Sequence, residues 1–597
     1  MKEKRNVIEW TVSILTAFTG TWALQWVLHL DGEGLGYTNS IISVFVFLFL
    51  GWLSKKIMAY GFEGKWYDWI WPVLFGSIFA FCMVAGTQLD TKGRILYKNG
   101  VMWLAMLILA IMFTVLVRFF WDRLSEVRQK EAVEKEEKQK KRNIRSFLGR
   151  AGIIFICYIP VFLAVYPGFF VYDAMDELGQ VVSRNFTAQH PIIHVLLLGG
   201  IIQLVYKLTG AYNWGIACYT VFQMIVMAGI FSWCVERLKL RGMKKWGCNA
   251  LTLYFGLCPV LVMYALCSAK DGLFTGMMLL FVICLQDLCS APDSFLKQKW
   301  KIILLVLSAV GMMSFRFNGV YAFIVFIPFL LFALRKYWKR IVICLGAVFI
   351  LYFGINNALT TYFHAESLEN QTIVVPVMQV ARVYNEKKEE LPEKEKEVLY
   401  RYLSEDVLAR YTPKLADRVK AFFNGEAYAE DSESFLNLWK QWGLRYPDVY
   451  LDAWFMTSYG FWYPDTVIDV YRDNITFTFV YKDSSYFGYE VESPGIRNSK
   501  IPWLNELYRK MSIEIFQQKM PVISMLFSPG FMIWVMLFLM GFLCYKQKYI
   551  CVLPFLFPLL CWLTVLLGPT YLVRYVVFLW VMIPLLIYEV MQVGRAE

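Results

Sequence analysis

Long apolar runs alternate with short charged turns along this chain, and that alternation sets the fold class before any motif is read. Apolar runs start near residues 8, 38, 68 and 100. Others lie at about 148–165, 214–234, 247–266, 271–289, 301–315, 318–334 and 340–357, and again at about 523–545, 548–567 and 574–592. Most are long enough, at about 1.5 Å per residue, to cross roughly 30 Å of bilayer hydrocarbon. The expected fold is an all-α polytopic membrane protein with about fourteen transmembrane helices.

The pattern changes between the eleventh run and the last three. From Glu386 to about Tyr428 charged helices are predicted, then a Trp- and Tyr-rich helix from Phe435 to Tyr459. Ile475-Thr-Phe-Thr-Phe-Val-Tyr481 alternates like a strand, so this extracytoplasmic soluble region reads as a mixed domain. Its aromatic surfaces could form a small core, rest on headgroups or stack on sugar rings. The expected organisation is a four-helix membrane unit over 1–121 and a charged linker over 122–146. A membrane core over 147–357 with an outer loop at 166–190, the soluble region 358–522 and C-terminal helices over 523–597 complete it.

Composition agrees: 58% of residues are hydrophobic and mean hydropathy is +0.47. The net charge of +12 does not point to nucleic acid, because Lys and Arg in such a chain mark cytoplasmic loops. The N-terminal Met-Lys-Glu-Lys-Arg and its apolar run read as an uncleaved first helix. His190 to Leu208 is ambiguous. Treated as a juxtamembrane or re-entrant helix, it leaves Lys55-Lys56, 123–145, 236–245, Lys297–Lys301, Arg335–Arg340 and Lys546–Lys548 all cytoplasmic. The loop at Asp173, the Lys270-Asp271 turn, Arg316–Asn318, the soluble region and Arg574 then share the outer face. The thirteen cysteines lie in or beside apolar runs with no C-x-x-C pair, so neither a zinc site nor a disulfide framework is encoded.

Candidate chemistry concentrates after the fifth run, in Tyr166-Pro-Gly-Phe-Phe-Val-Tyr-Asp173-Ala-Met-Asp176-Glu177-Leu-Gly-Gln180. On a helix from Tyr172 to Ser183, Asp173, Asp176, Glu177 and Gln180 fall on one face, where like charges repel. Such acids can share protons, which suits a general base, or bind a divalent cation; as a plain alternative they begin an acidic helix. His190 and His194 stand four residues apart, but Pro191 puts His190 at a cap, better suited to facing an acid or a phosphate than to ligating metal. Arg316 and Arg574 at span ends can snorkel or grip phosphate, and Asp271 is expected to pair with Lys270 or Arg316.

These residues resemble the GT-C class of membrane glycosyltransferases, and most closely a bacterial multi-pass family without an assigned function. The resemblance rests on Tyr166-Pro-Gly-x-x-x-Tyr-Asp173-x-x-x-x-x-x-Gln180, on His190-Pro191, on Val375-Pro-Val-Met-Gln379-x-Ala-Arg382 and on Arg574-Tyr575. It covers roughly residues 148–592 and omits the first four runs. His190-Pro191 is followed here by Ile rather than a second Pro. The resemblance implies a GT-C-like fold in the cell membrane with Asp173 as catalytic base, Asp176 or Glu177 in reserve, and Arg574 on the donor phosphate. His190, Arg316, Gln180, Asp271 and Gln379 join it as candidate substrate-binding residues. The implied donor is a polyprenyl-phosphate sugar and the acceptor a glycan, lipid or protein outside the cytoplasm. The lack of a Gly-rich nucleotide cradle agrees. A transporter or flippase of lipid-linked sugars or cell-envelope precursors is the rival expectation, and a scaffold or sensor a third.

Overall fold

The computed structural model describes residues 2–28, 40–132, 144–366, 373–466, 491–514, 516–520 and 522–593. Among them the regular elements are all helical. Among the described residues nine helices are long and apolar enough to cross a membrane, or up to ten if the bent pair counts as one span. Phe317–Ala333, Pro529–Tyr545, Tyr549–Val565 and Phe578–Val593 are shorter apolar helices. The chain is thus an all-α polytopic membrane protein. Ile192–Thr209, expected to lie along the membrane, is among the helices that are long and apolar enough to cross it. The strand-like run Ile475–Tyr481 lies outside the described residues.

The helices carry charge at their ends and apolar residues between, as spanning segments must. Tyr212–Leu240 is one example. Near its C-terminus, Glu236 accepts from Arg150 (3.1 Å) and Lys239, while Arg237 pairs with Asp287. Glu589 pairs with Arg241 (2.7 Å) and accepts from Gln286 (2.7 Å).

Two of the expected helical runs are broken at proline. The run expected at 247–266 is not straight: Lys245–Leu257 and Pro259–Ala265 meet at 59°. Pro259 has no N–H to continue the first helix, and the chain turns at Cys258. The Phe255 carbonyl, left without the amide of residue 259, accepts from Tyr158 OH (3.0 Å), and at the far end of the second helix the buried Gln223 Nε2 donates to Tyr264 O (2.9 Å) and Cys267 O (2.7 Å). The soluble aromatic helix is likewise two helices, Ser432–Arg445 and Pro447–Ser458, parted at Tyr446-Pro447.

The N-terminal helices dock onto the rest through small residues and hydrogen bonds. A methyl group on Gly86 would lie 2.3 Å from the Tyr463 ring. Nearby, Tyr459 donates to Asp90 (2.8 Å) and Tyr545 to Asp122 (2.6 Å). Close approach at glycine is the usual way helices pack where no hydrophobic driving force separates protein from lipid.

Candidate active site

The site begins with a turn that only glycine can make. Gly168 has φ +132°, and a methyl group there would lie 2.4 Å from Thr220 Oγ1, which donates to Pro167 O (3.0 Å). The next residues run beside the chain that leaves the bent helix pair. Phe169 N donates to Leu266 O (3.2 Å) and Ser268 N to Phe169 O (2.9 Å). This short parallel bridge brings Asp173 and Lys270 together from distant parts of the sequence. Gly168→Ala is expected to lose about 1–3 kcal/mol of stability through strain and collision. Thermal unfolding of the detergent-solubilised protein checks this; an unchanged transition would contradict it.

Asp173 ends the turn as N-cap of Ala174–Ser183, and Asp271 lies in the first turn of Asp271–Ser290, both where a helix dipole favours negative charge. Asp173 Oδ2 accepts from Lys270 Nζ (2.7 Å) and from Arg574 Nη2 (2.7 Å). The same guanidinium donates through Nε to Asp271 Oδ2 (2.9 Å), and Arg316 donates to Asp271 Oδ1 (2.7 Å). Arg316 is held in the extended junction between Lys299–Phe315 and Phe317–Ala333, and Arg574 in the 3-10 turn Val573–Tyr575. Arg574 also lies over the Tyr172 ring (4.4 Å), and Arg316 over Tyr575 (4.7 Å). Asp271 is fully buried, whereas the Asp173 side chain is 26% exposed. Of the two, Asp173 is therefore the one a ligand can reach.

Burial alone would raise the Asp173 carboxyl, but Arg574 and Lys270 outweigh it and hold the group well below the usual range. Glu177, pushed up by burial, is brought below its usual value by His194 and Lys270. It pairs with His194 Nδ1, whose Nε2 faces Tyr219 OH (2.9 Å). The expected face of the helix is thus divided: Glu177 and Gln180 are buried, while Asp176 is exposed. Desolvation, then Asp173 and Glu177, raise the Asp176 carboxyl.

His190 and His194 do not converge on a shared ligand. His190 Nδ1 meets Lys270 Nζ (3.1 Å), and burial followed by the Lys270 charge lowers its pKa. Asp173, Glu177 and His190 offer ligand atoms within 4.8 Å of one another, the spacing a cation would need. Lys270 Nζ stands among them, however, and is also 3.4 Å from Glu177. Its ammonium supplies there the positive charge a divalent ion would bring.

Two predicted binding residues are engaged elsewhere. Gln180 fixes the loop after its helix, donating to Thr187 Oγ1 (3.3 Å) and accepting from Thr187 N (3.1 Å). Gln379 is buried in the bundle of Val374–Lys387, Ser432–Arg445 and Pro447–Ser458, where it accepts from Trp439 (2.8 Å) and donates to Tyr450 O (3.2 Å). Arg382, from the same sequence motif, donates to Gly93 O (2.7 Å) and ties that bundle to the N-terminal helices.

Two carboxyl groups near the site carry no sequence signal. Asp417 is raised by burial and then by Asp173. Its helix is tied to the segment before Arg574 by Ala416 N donating to Pro569 O (2.9 Å). Glu492 is 3% exposed, and its N–H donates to Phe170 O (2.8 Å).

An all-α polytopic membrane protein with a buried ionic node at its helix ends is the class these observations define. Residues 181–597 match a family described as being of unknown function, DUF6020, and the chain belongs to that family. The match takes in His190, Lys270, Asp271, Arg316 and Arg574, and starts just after the Asp173–Gln180 stretch. No curated protein and no solved structure matches the chain.

Proposed function

We propose that this protein is a membrane glycosyltransferase that moves a sugar from a polyprenyl-phosphate donor to an acceptor outside the cytoplasm. The observation that carries the reading is the Asp173 carboxylate shared between Lys270 and Arg574, beside a second guanidinium on Asp271. Three cations packed on carboxylates can exchange partners with a phosphate, and Arg holds phosphate with directed donors. A lipid-linked donor carries its phosphate at headgroup depth, where the ends of spanning helices lie. Provided that Ile192–Thr209 does not cross the bilayer, the positive-inside pattern supports a GT-C-like topology of about fourteen spans with this site outward.

In the proposed reaction the acceptor hydroxyl gives its proton to Asp173 as its oxygen bonds to the sugar's anomeric carbon. The bond from that carbon to the phosphate oxygen breaks, and its electron pair leaves on polyprenyl phosphate. Unliganded Asp173 is a weak base because its two cations stabilise the ionised form. A donor phosphate that draws Arg574 and Lys270 toward itself raises the basicity of Asp173 when the acceptor needs it. Asp271 keeps Arg574 and Arg316 oriented throughout.

Arg574→Lys keeps the charge but loses the planar fork, so polyprenyl phosphate should bind about ten-fold more weakly, a cost of roughly 1.4 kcal/mol. Titration of polyprenyl phosphate into the solubilised protein measures this. Equal affinity in the two proteins would remove Arg574 from the phosphate site.

A further inference from the structure

The ionic node satisfies its own members but leaves two buried polar groups beside it under-satisfied. Among the described residues neither carboxyl oxygen of Glu492 is held in a well-formed hydrogen bond, the Tyr172 backbone being the one hydrogen-bonding group that acts on it, and His190 Nε2 has no partner. Both side chains are more than nine-tenths buried. Orphaned polar groups at such depth are costly unless something else satisfies them. Because Lys270 can only donate, His190 Nδ1 must accept from it. The neutral ring then carries its proton on Nε2, an unused donor.

Glu492 is not in this position by chance of a loose loop. Residues 492–500 are stitched along the start of the catalytic loop. Glu492 N donates to Phe170 O (2.8 Å), Asn498 N to Tyr166 O (2.9 Å) and Lys500 N to Leu163 O (2.9 Å). The Arg497 guanidinium, a nearby cation, donates to Gly168 O (3.0 Å). The charged groups that act on the Glu492 carboxyl are Asp176, Asp173 and Arg574. Burial, then the two aspartates, push it up to about 8, against a smaller opposing pull from the Tyr172 backbone and Arg574.

We propose that the Glu492 carboxyl is a substrate-contacting group of this site, hydrogen-bonding a hydroxyl-bearing sugar ligand alongside His190 Nε2–H. The inference rests on the glycosyltransferase reading and names the side chains that hold the sugar rather than the phosphate. A neutral carboxyl both donates and accepts, which matches a hydroxyl. An ionised one beside Asp173 and Asp176 would add a third negative charge where the donor already brings one.

The test uses the full chain in lipid vesicles and two variants, Glu492→Gln and Glu492→Ala. Infrared difference spectra of wild type minus Glu492→Gln at pH 6 should show one protonated-carboxyl band, which shifts when a short-chain polyprenyl-phosphate hexose is added. That readout needs no turnover. A missing band, or one that the donor leaves unmoved, overturns the inference even if sugar transfer proceeds. Absent transfer with a band that shifts would instead refute the reaction and leave Glu492 as a ligand contact. In transfer assays Glu492→Gln should lose less of the rate than Glu492→Ala and should lose the decline in rate above pH 8. Glu492→Ala should raise the donor KM about ten-fold. A Gln variant as impaired as the Ala variant, or an Ala variant with wild-type KM, would also overturn it.

Discussion

Asp271→Ala is expected to destabilise the protein by about 3–5 kcal/mol, a large share of the stability of an ordinary domain. Asp271 is fully buried and accepts one hydrogen bond from Arg316 and one from Arg574. Removing it leaves two guanidinium groups, themselves largely buried, with the loss of a shared counter-charge. Neither can discharge by giving up a proton, because guanidinium stays protonated in proteins. Arg574 would retain Asp173, and among the described residues Arg316 would retain only its stacking on Tyr575 and Phe274. Asp271→Asn keeps an acceptor oxygen of the same shape and should cost less than the alanine variant. Thermal unfolding of the solubilised protein, followed by tryptophan fluorescence, gives both values. An alanine variant as stable as wild type would mean that the node contributes nothing to the fold.

Asp173→Asn should lower kcat for sugar transfer by about 10²–10⁴-fold, the usual contribution of a general base. Its stability effect should be smaller than that of Asp271→Ala, because the Asp173 side chain is partly exposed and Asn remains an acceptor for Lys270 and Arg574. The sign of the pH dependence follows from the cations. Asp173 has its folded-state pKa depressed, so the stability it contributes is present above its unfolded value of about 3.9 and is lost only as pH falls through the lower folded value. Acid between pH 5 and 7 should therefore leave the node intact.

The spacing of apolar and charged residues made the polytopic helical fold legible, since the bilayer fixes span length and every backbone polar group must be paired inside it. Asp173, Lys270, Asp271, Arg316 and Arg574 were also legible, because charges at the ends of apolar runs are costly unless they meet. Periodicity could not show how Glu177 and Asp176, one residue apart, separate into a buried partner of His194 and an exposed acid. Gln379 looked like a site residue by motif, yet Trp439 and Tyr450 engage it inside its own helical bundle. Glu492 is a lone acid in a loop with no repeat, and only the pairing of its backbone with Phe170 brings it to the site. The run 247–266 read as one span, and its bend at Cys258-Pro259, which lets Phe169 meet Leu266, depends on a tertiary contact.

The decisive measurement follows labelled sugar on a polyprenyl-phosphate donor in vesicles containing either the wild-type protein or Asp173→Asn. The proposed chemistry predicts that wild type releases polyprenyl phosphate and passes the sugar to an acceptor, while the equally folded variant leaves the donor intact. Release by both proteins at the same rate would contradict the assignment of Asp173, and no release by wild type from any polyprenyl-phosphate sugar would contradict the enzyme itself.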